Sequence, residues 1–140
     1  MRVLACDGIH EDGLISMREA GWKVEISEPI KNPAVLAKKL EGVDALLVRS
    51  ATAVTAEAIA NASQLKVIGR AGAGVDTIDV EAATARGIAV MNAPDGNTLA
   101  AAEHAVSLLF ALARHIPKAD ADMKAGGWSK AGLTGFELEG

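Results

Sequence analysis

Five short β-rich apolar runs, separated by four helical patterns, limit what this chain can fold into more than any other feature. The runs are RVLAC (2–6), KVEIS (23–27), DALLV (44–48), LKVIG (65–69) and GIAVM (87–91). Helix signals fill the gaps. Leu14, Ile15 and Met17 mark one side of the first, which stops at Gly21. Asn32 caps the second, with Pro33 at its first position and Gly42 as its stop. Thr55 caps the third; Asp79 caps the fourth, which Gly87 ends. Such alternation is what a parallel sheet with helical crossovers requires. The chain is predicted to be α/β: a five-stranded parallel, doubly wound sheet covered on both faces, with right-handed crossovers and the flavodoxin-like order 2-1-3-4-5. Ligands of such sheets bind beyond the carboxyl ends of the strands. The loops to inspect are therefore residues 7–12, 49–54, 70–78 and 92–97.

After Pro94 the pattern changes. NTLAAAEHAVSLLFALARHIPKADADMKAGG reads as one long C-terminal helix, capped by Asn97 or Thr98, with Pro117 as the place of any interruption. Leu99, Val106, Leu109, Ala113 and Ile116 mark one side; Ala105, Leu108 and Leu112, with Phe110 beside them, mark another. A helix this apolar all round is expected to be buried on more than one side, and a small sheet covers only one. This predicts either a homodimer through residues 98–116 or a helix folded back on its own sheet. The division expected is an α/β domain over 1–97 and a helix and tail over 98–140.

Composition removes several classes. Half of the 140 residues are hydrophobic, which argues for a packed core, and the net charge of −4 argues against nucleic-acid binding. Cys6 is the single cysteine, so no intrachain disulfide can form; it lies in an apolar run and is expected to be a buried thiol. The amino terminus has too short an apolar run for a signal peptide, and no stretch reaches the ~18 apolar residues of a membrane span. A cytoplasmic protein without a membrane partner is the expectation. No ligand set for a metal stands out.

The segment GRAGAGVD, Gly69 to Asp76, follows the fourth apolar run and precedes a helical pattern. Gly72 and Gly74 begin the dinucleotide fingerprint G-x-G-x-x-G, but Thr77 occupies its third glycine position. Met91 and Asn92 stand where the ribose-binding acid belongs. The loop therefore reads either as a strained turn needing positive φ or as an anion site built from backbone N–H groups with Arg70 nearby. Arg49 and Ser50 follow the third run. Because strands 3 and 4 are neighbours in the predicted order, Arg49, Ser50 and residues 70–74 would share one rim able to hold a carboxylate or phosphate. Each arginine alone is equally consistent with a solvated surface residue.

LLVRSATAVT, the run from LKVIGRAGAGVD to SLLFALAR, and MKAGGWSKAGLTGFELEG resemble the amino-terminal part of the NAD-dependent D-2-hydroxyacid dehydrogenases. The likeness is to their 3-phosphoglycerate dehydrogenase branch, which oxidises 3-phosphoglycerate to 3-phosphohydroxypyruvate at the entry to serine biosynthesis. The resemblance implies a substrate-binding domain, followed by a helix that leads to the nucleotide-binding domain and packs at the dimer interface. It implies substrate contacts for Arg49, Ser50, Arg70, Gly72, Ala73 and Gly74, and contacts on the cofactor side for Ala73, Asn97 and Glu103. It implies a small phosphorylated hydroxy acid as ligand and NAD as the family's cofactor.

In that family the nucleotide fingerprint and the catalytic Arg, Glu and His follow the point that corresponds to Gly140. The expectation is therefore that this chain alone binds no NAD and does not catalyse, whether it is an excised domain, a truncated product or a natural short form. His10, His104 and His115 do not substitute: nothing in their placement ties them to Arg49, as a general base would need. A non-catalytic flavodoxin-like module that binds a small anion, or serves as a scaffold, is the alternative. A phosphorelay receiver would want an acid where Arg49 stands. A flavodoxin would want a Ser/Thr-rich loop in place of DGIHEDG, and Trp22 and Trp128 are not placed to sandwich a flavin.

Overall fold

The computed structural model describes residues 1–139, so Gly140, the end of the expected second segment, lies outside the described residues. Its contacts divide it into two compact units, Met1–Gly96 and one beginning at Asn97.

The first unit alternates as the sequence does: β1 (Arg2–Ala5), α1 (Glu11–Glu19), β2 (Lys23–Ile26), α2 (Pro33–Lys39), β3 (Ala45–Val48), α3 (Ala56–Ile59), β4 (Val67–Arg70), α4 (Val80–Ala85) and β5 (Ala89–Asn92). All pairings are parallel and the order is β2-β1-β3-β4-β5, as predicted. The caps explain why the helices start where they do. The Asn32 side chain accepts from the Ala34 and Val35 amides, Thr55 from Ala58, and Asp79 from Ala82. Gly21, Gly42 and Gly87 follow their helices in the left-handed region, with φ of 78°, 72° and 70°, which a residue with a Cβ rarely adopts. His10 caps α1, its Nδ1 accepting from the Asp12 amide at 3.4 Å. On α1 itself Leu14 is buried but Ile15 is exposed, so the buried face is narrower than the sequence pattern predicts.

Right-handed crossovers divide the helices unequally. The step from β1 to β2 runs one way along the sheet, and the three later steps run the other way. This puts α1 on one face and α2, α3 and α4 on the opposite face. In keeping with this, α2 packs on α3 and α3 on α4. The core lies on their side, where Leu4, Leu36, Leu40, Leu46, Ile59 and Ile68 are fully buried. The face shared with α1 is only partly covered. Met17, Trp22, Leu47, Val67 and Met91 line a groove of about 380 Å³ there, and Met91 is 62% exposed. Full cover on both faces, expected from the alternation, is thus met within this unit on one face only, because one crossover supplies one helix.

The second unit does not hold one continuous helix. α5 (Thr98–Ala113) and α6 (Ile116–Lys124) meet at a 66° bend, with His115 between them at φ 51°. The break comes two residues before Pro117, and proline chemistry accounts for this. Pro117 has no N–H to give the Ala113 carbonyl, and its ring would collide with that carbonyl in a continued helix. The Phe136 amide takes the Ala113 carbonyl instead, at 3.1 Å. Gly135 makes this possible, since a Cβ there would lie 2.1 Å from the same oxygen. Asn97 occupies the cap of α5 without a side-chain capping bond. Only Ala113 of α5 is buried; Leu99, Val106, Leu108, Leu109, Phe110 and Leu112 are exposed, so among the described residues the second unit by itself does not bury α5 on more than one side. Among the described residues no single helix is long and apolar enough to cross a membrane, and α5 with α6 passes that test only as a bent pair.

Leu46, at the centre of the sheet and fully buried, gives the fold a direct test. Leu46→Ala should cost about 2–5 kcal/mol, the cavity left in a close-packed core adding to the lost transfer energy. Urea unfolding followed by circular dichroism measures it, and a midpoint equal to that of the parent would remove β3 from the centre of the core.

Candidate functional site

Strand register brings the predicted residues to one edge. Val48 lies opposite Arg70, and Arg70 opposite Asn92, so β3, β4 and β5 end level. Arg49 and Ser50 leave β3 at the same rim from which Ala71–Gly74 leaves β4 and Ala93 leaves β5. The rim expected from the 2-1-3-4-5 order is therefore formed. Arg49 and Ser50 are exposed, and the Arg49 guanidinium makes no hydrogen bond or ion pair among the described residues.

Arg70 behaves differently. Its side chain is only 11% exposed and turns back into the protein. Nε donates to the Arg49 carbonyl at 3.2 Å, Nη1 donates to the Gly74 carbonyl, and Nη2 lies 3.9 Å from Asp76 Oδ1. This guanidinium also explains the glycines. A Cβ on Gly72 would stand 3.0 Å from Arg70 Nη1; one on Gly74 would stand 2.7 Å from Asp76 Oδ1. Neither glycine has positive φ, so a strained left-handed turn, one of the two readings of this loop, is not what they serve. Gly72 leaves room for the inward-turned Arg70 guanidinium, whereas the Asp76 carboxylate near Gly74 is exposed and free to move aside. Asn92 closes the loop from the β5 side, its Nδ2 donating to the Ala73 carbonyl at 2.6 Å, while the Ala93 amide donates to the Gly72 carbonyl at 3.0 Å.

The residue that sequence reasoning passed over is Asp7. It stands two residues past β1 in the left-handed region, at φ 65°, and is buried. Its Oδ2 accepts from the Arg49 amide at 2.8 Å and the Thr52 amide at 3.0 Å, and its Oδ1 accepts from the Thr52 hydroxyl. The fully buried Thr52 hydroxyl also accepts from the Ile30 amide at 3.0 Å. Burial alone would push the Asp7 carboxyl up. The hydrogen bonds from the Thr52 hydroxyl and from the Arg49, Thr52 and Ala51 amides outweigh it and hold the group below the ordinary carboxylate value. Beside it, Cys6 is buried as expected, and burial, followed by the Asp7 charge, pushes its thiol up to about 11, so it stays protonated at neutral pH.

The other candidates lie elsewhere. Asn97 and Glu103 belong to the second unit, both exposed. His10 caps α1, His104 is exposed on α5 and His115 sits in the α5–α6 bend. Among the described residues no group of three or more His, Cys, Asp or Glu is placed to hold a metal ion.

Residues 3–135 match the catalytic domain of the D-isomer specific 2-hydroxyacid dehydrogenases. The D-3-phosphoglycerate dehydrogenase of Archaeoglobus fulgidus is 46% identical over 140 residues, which is 100% of this chain and 26% of that protein. The chain thus spans about a quarter of the length of the curated relatives it matches. Among solved structures, the TT0316 protein of Thermus thermophilus superposes with a TM-score of 0.85 at 35% identity, over 100% of this chain and 46% of that one. The D-lactate dehydrogenase of Aquifex aeolicus, complexed with NAD and lactic acid, superposes with a TM-score of 0.82 over 97% of this chain and 41% of that one; at 21% identity this likeness shows the fold alone.

The state of Asp7 has a consequence for stability. A carboxyl held below its unfolded value of ~3.9 contributes in full above that pH, and the contribution is lost as pH falls through the folded value. Asp7→Asn should lower stability at neutral pH by about 1–3 kcal/mol, because an amide NH₂ meets a cluster of donors. It should also flatten the acid limb of the stability curve. Urea midpoints of both proteins, from neutral pH downwards, measure this, and parallel acid limbs would show that Asp7 is not the linked group.

Proposed function

The chain belongs to the D-isomer specific 2-hydroxyacid dehydrogenase family, and from that premise we propose that residues 1–97 are the substrate-binding part of an NAD-dependent D-3-phosphoglycerate dehydrogenase. The ligand is a small phosphorylated hydroxy acid, 3-phosphoglycerate. The observation that carries this reading is the Arg49 guanidinium, unpaired and exposed at the carboxyl edge of the sheet while its own main chain is fixed. A planar cation held by a fixed backbone suits a carboxylate or phosphate, which it meets with two parallel hydrogen bonds. Ser50 adds a hydroxyl at the same rim. Ala73, between two glycines, offers an approach for the rest of the acid. Arg70 supports this arrangement from within, by bracing the carbonyls of Arg49 and Gly74, and contributes positive charge to the rim.

The same residues do not fit the pyrophosphate of a dinucleotide. The inward-turned Arg70 side chain lies against Gly72, and the Gly72 amide already donates to the Arg70 carbonyl at 2.9 Å, so it is not free for a phosphate. For the cofactor we propose that Ala73 faces its nicotinamide end, that Asn97 and Glu103 lie where the chain crosses towards the cofactor cleft of the whole enzyme, and that this chain alone binds no NAD. Hydride transfer by this chain alone is not part of the proposal either. The one buried carboxylate at the rim, Asp7, has both oxygens occupied by donors and is held ionised, which unsuits it to take a proton from a hydroxyl.

Thermal unfolding with 3-phosphoglycerate, with inorganic phosphate, with NAD and with no ligand tests the reading. A ligand that binds only the folded chain stabilises it by about 2.7 kcal/mol at a hundredfold excess over its Kd. The midpoint should rise with 3-phosphoglycerate, and Arg49→Ala should weaken binding by roughly 10–100-fold, as expected for lost charge-assisted bonds. An equal rise with inorganic phosphate would favour a general small-anion module. No rise with 3-phosphoglycerate would overturn the proposal.

We also propose that α5 and the start of α6 mediate a homodimer through residues 98–116. Its support is the exposed apolar surface of Leu99, Val106, Leu109, Phe110, Leu112 and Ile116. Sedimentation of the parent should give a dimer mass, and Leu109→Asp should give a monomer with the same circular dichroism spectrum. A monomeric parent would remove the idea.

A further inference from the structure

The main chain of Arg49 is held at both ends. Its amide donates to Asp7 Oδ2 at 2.8 Å, and its carbonyl accepts from Arg70 Nε at 3.2 Å. The Asp7 carboxylate reaches further along the same turn, to the amide and hydroxyl of Thr52, and Thr52 in turn holds the Ile30 amide between β2 and α2. Asp7, two residues past β1, and Thr52 together tie the segments that follow β1, β2 and β3. The Asp7 backbone stands in the left-handed region, which a non-glycine residue occupies only when its surroundings compensate. A buried negative charge is also an unfavourable choice beside an anion site. It is tolerated because every donor it meets is a fixed neighbour in the turn, leaving its charge satisfied within the protein.

We propose that Asp7, acting with Thr52, is a positioning residue for anion recognition: it fixes the Arg49–Ser50 turn, so that the main chain from which the Arg49 side chain springs is in place before the ligand arrives. The inference rests on the proposed function, since it concerns how that site is built. Preorganisation raises affinity by removing the cost of ordering the loop during binding. Asp7 touches no ligand in this scheme. Its effect passes through the main chain of Arg49.

Two measurements on the 140-residue chain test it: amide hydrogen exchange by NMR without ligand, and calorimetric titration with 3-phosphoglycerate. In Asp7→Asn the amides of Arg49 and Thr52 should exchange faster while those of Leu46 and Ile68, inside the sheet, keep their protection. Affinity should fall about tenfold, the loss expected for hydrogen bonds to a charged group. Arg49→Ala should lose affinity but keep its own amide and that of Thr52 protected, since it retains the same main chain. If Asp7→Asn does not fold, Thr52→Val takes its place: it keeps the carboxylate and removes the bridging hydroxyl, so the Ile30 amide should exchange faster and affinity should fall. Protected amides with parental affinity overturn the proposal; so does protection lost equally across the sheet, which would make Asp7 a general structural residue. No binding by the parent overturns the proposed function instead, and the exchange pattern then still decides whether Asp7 fixes the turn.

Discussion

Parallel strands have no turn of their own, so every neighbouring pair must be joined by a chain segment that climbs back over one face of the sheet. In residues 1–96 this constraint sets nearly everything else. The hand of the crossover sends α2, α3 and α4 to one face and leaves α1 alone on the other. The packed core therefore forms on one side, around Leu46 and Ile68. All five strands also point their carboxyl ends the same way. Loops that are far apart in the chain then meet at one edge, and a binding rim follows from the topology before any side chain is chosen.

At that rim two arginines of equal charge have different tasks. Arg49 projects outward, and Arg70 turns inward onto carbonyl oxygens. The difference arises from register. Arg70 is the last residue of β4 and lies level with the end of β3, within reach of the Arg49 carbonyl and of the loop it precedes. Gly72 leaves that guanidinium the space a Cβ would crowd, at 3.0 Å from Nη1. A glycine-rich loop after a strand is thus not enough to specify a phosphate cradle; what fills the loop decides.

The sequence made the strands, the starts of α2, α3 and α4 and the glycine stops at 21, 42 and 87 legible, because alternation and capping act within a turn or two of the chain; the His10 cap of α1 was not among them. It also placed Arg49, Ser50 and Arg70 at one edge, because that follows from strand order alone. It did not make Asp7 legible. The signal available was an acid directly after the first apolar run, followed by Gly8, in a loop that the fold already marked for inspection. Its partners Arg49 and Thr52 lie 42 and 45 residues away, and no local pattern connects them. Asn92 was visible only as the wrong residue for a ribose-binding acid, whereas its amide holds the neighbouring loop. The bend in the second unit was half legible. Pro117 announced an interruption, but the carbonyl it orphans is on Ala113, which the Phe136 amide takes from further along the chain.

The sequence by itself determined the class of the fold, the order of its elements and the cation presented at its edge. These depend on periodicity, on capping and on the hand of crossovers, all of them short-range or generic properties of L-polypeptides. Tertiary structure alone decided which donors the Asp7 carboxylate meets and that the Arg70 guanidinium reaches the Arg49 carbonyl. Each of these is set by a neighbour across the sheet, and such a neighbour exists only once β1, β3 and β4 lie side by side.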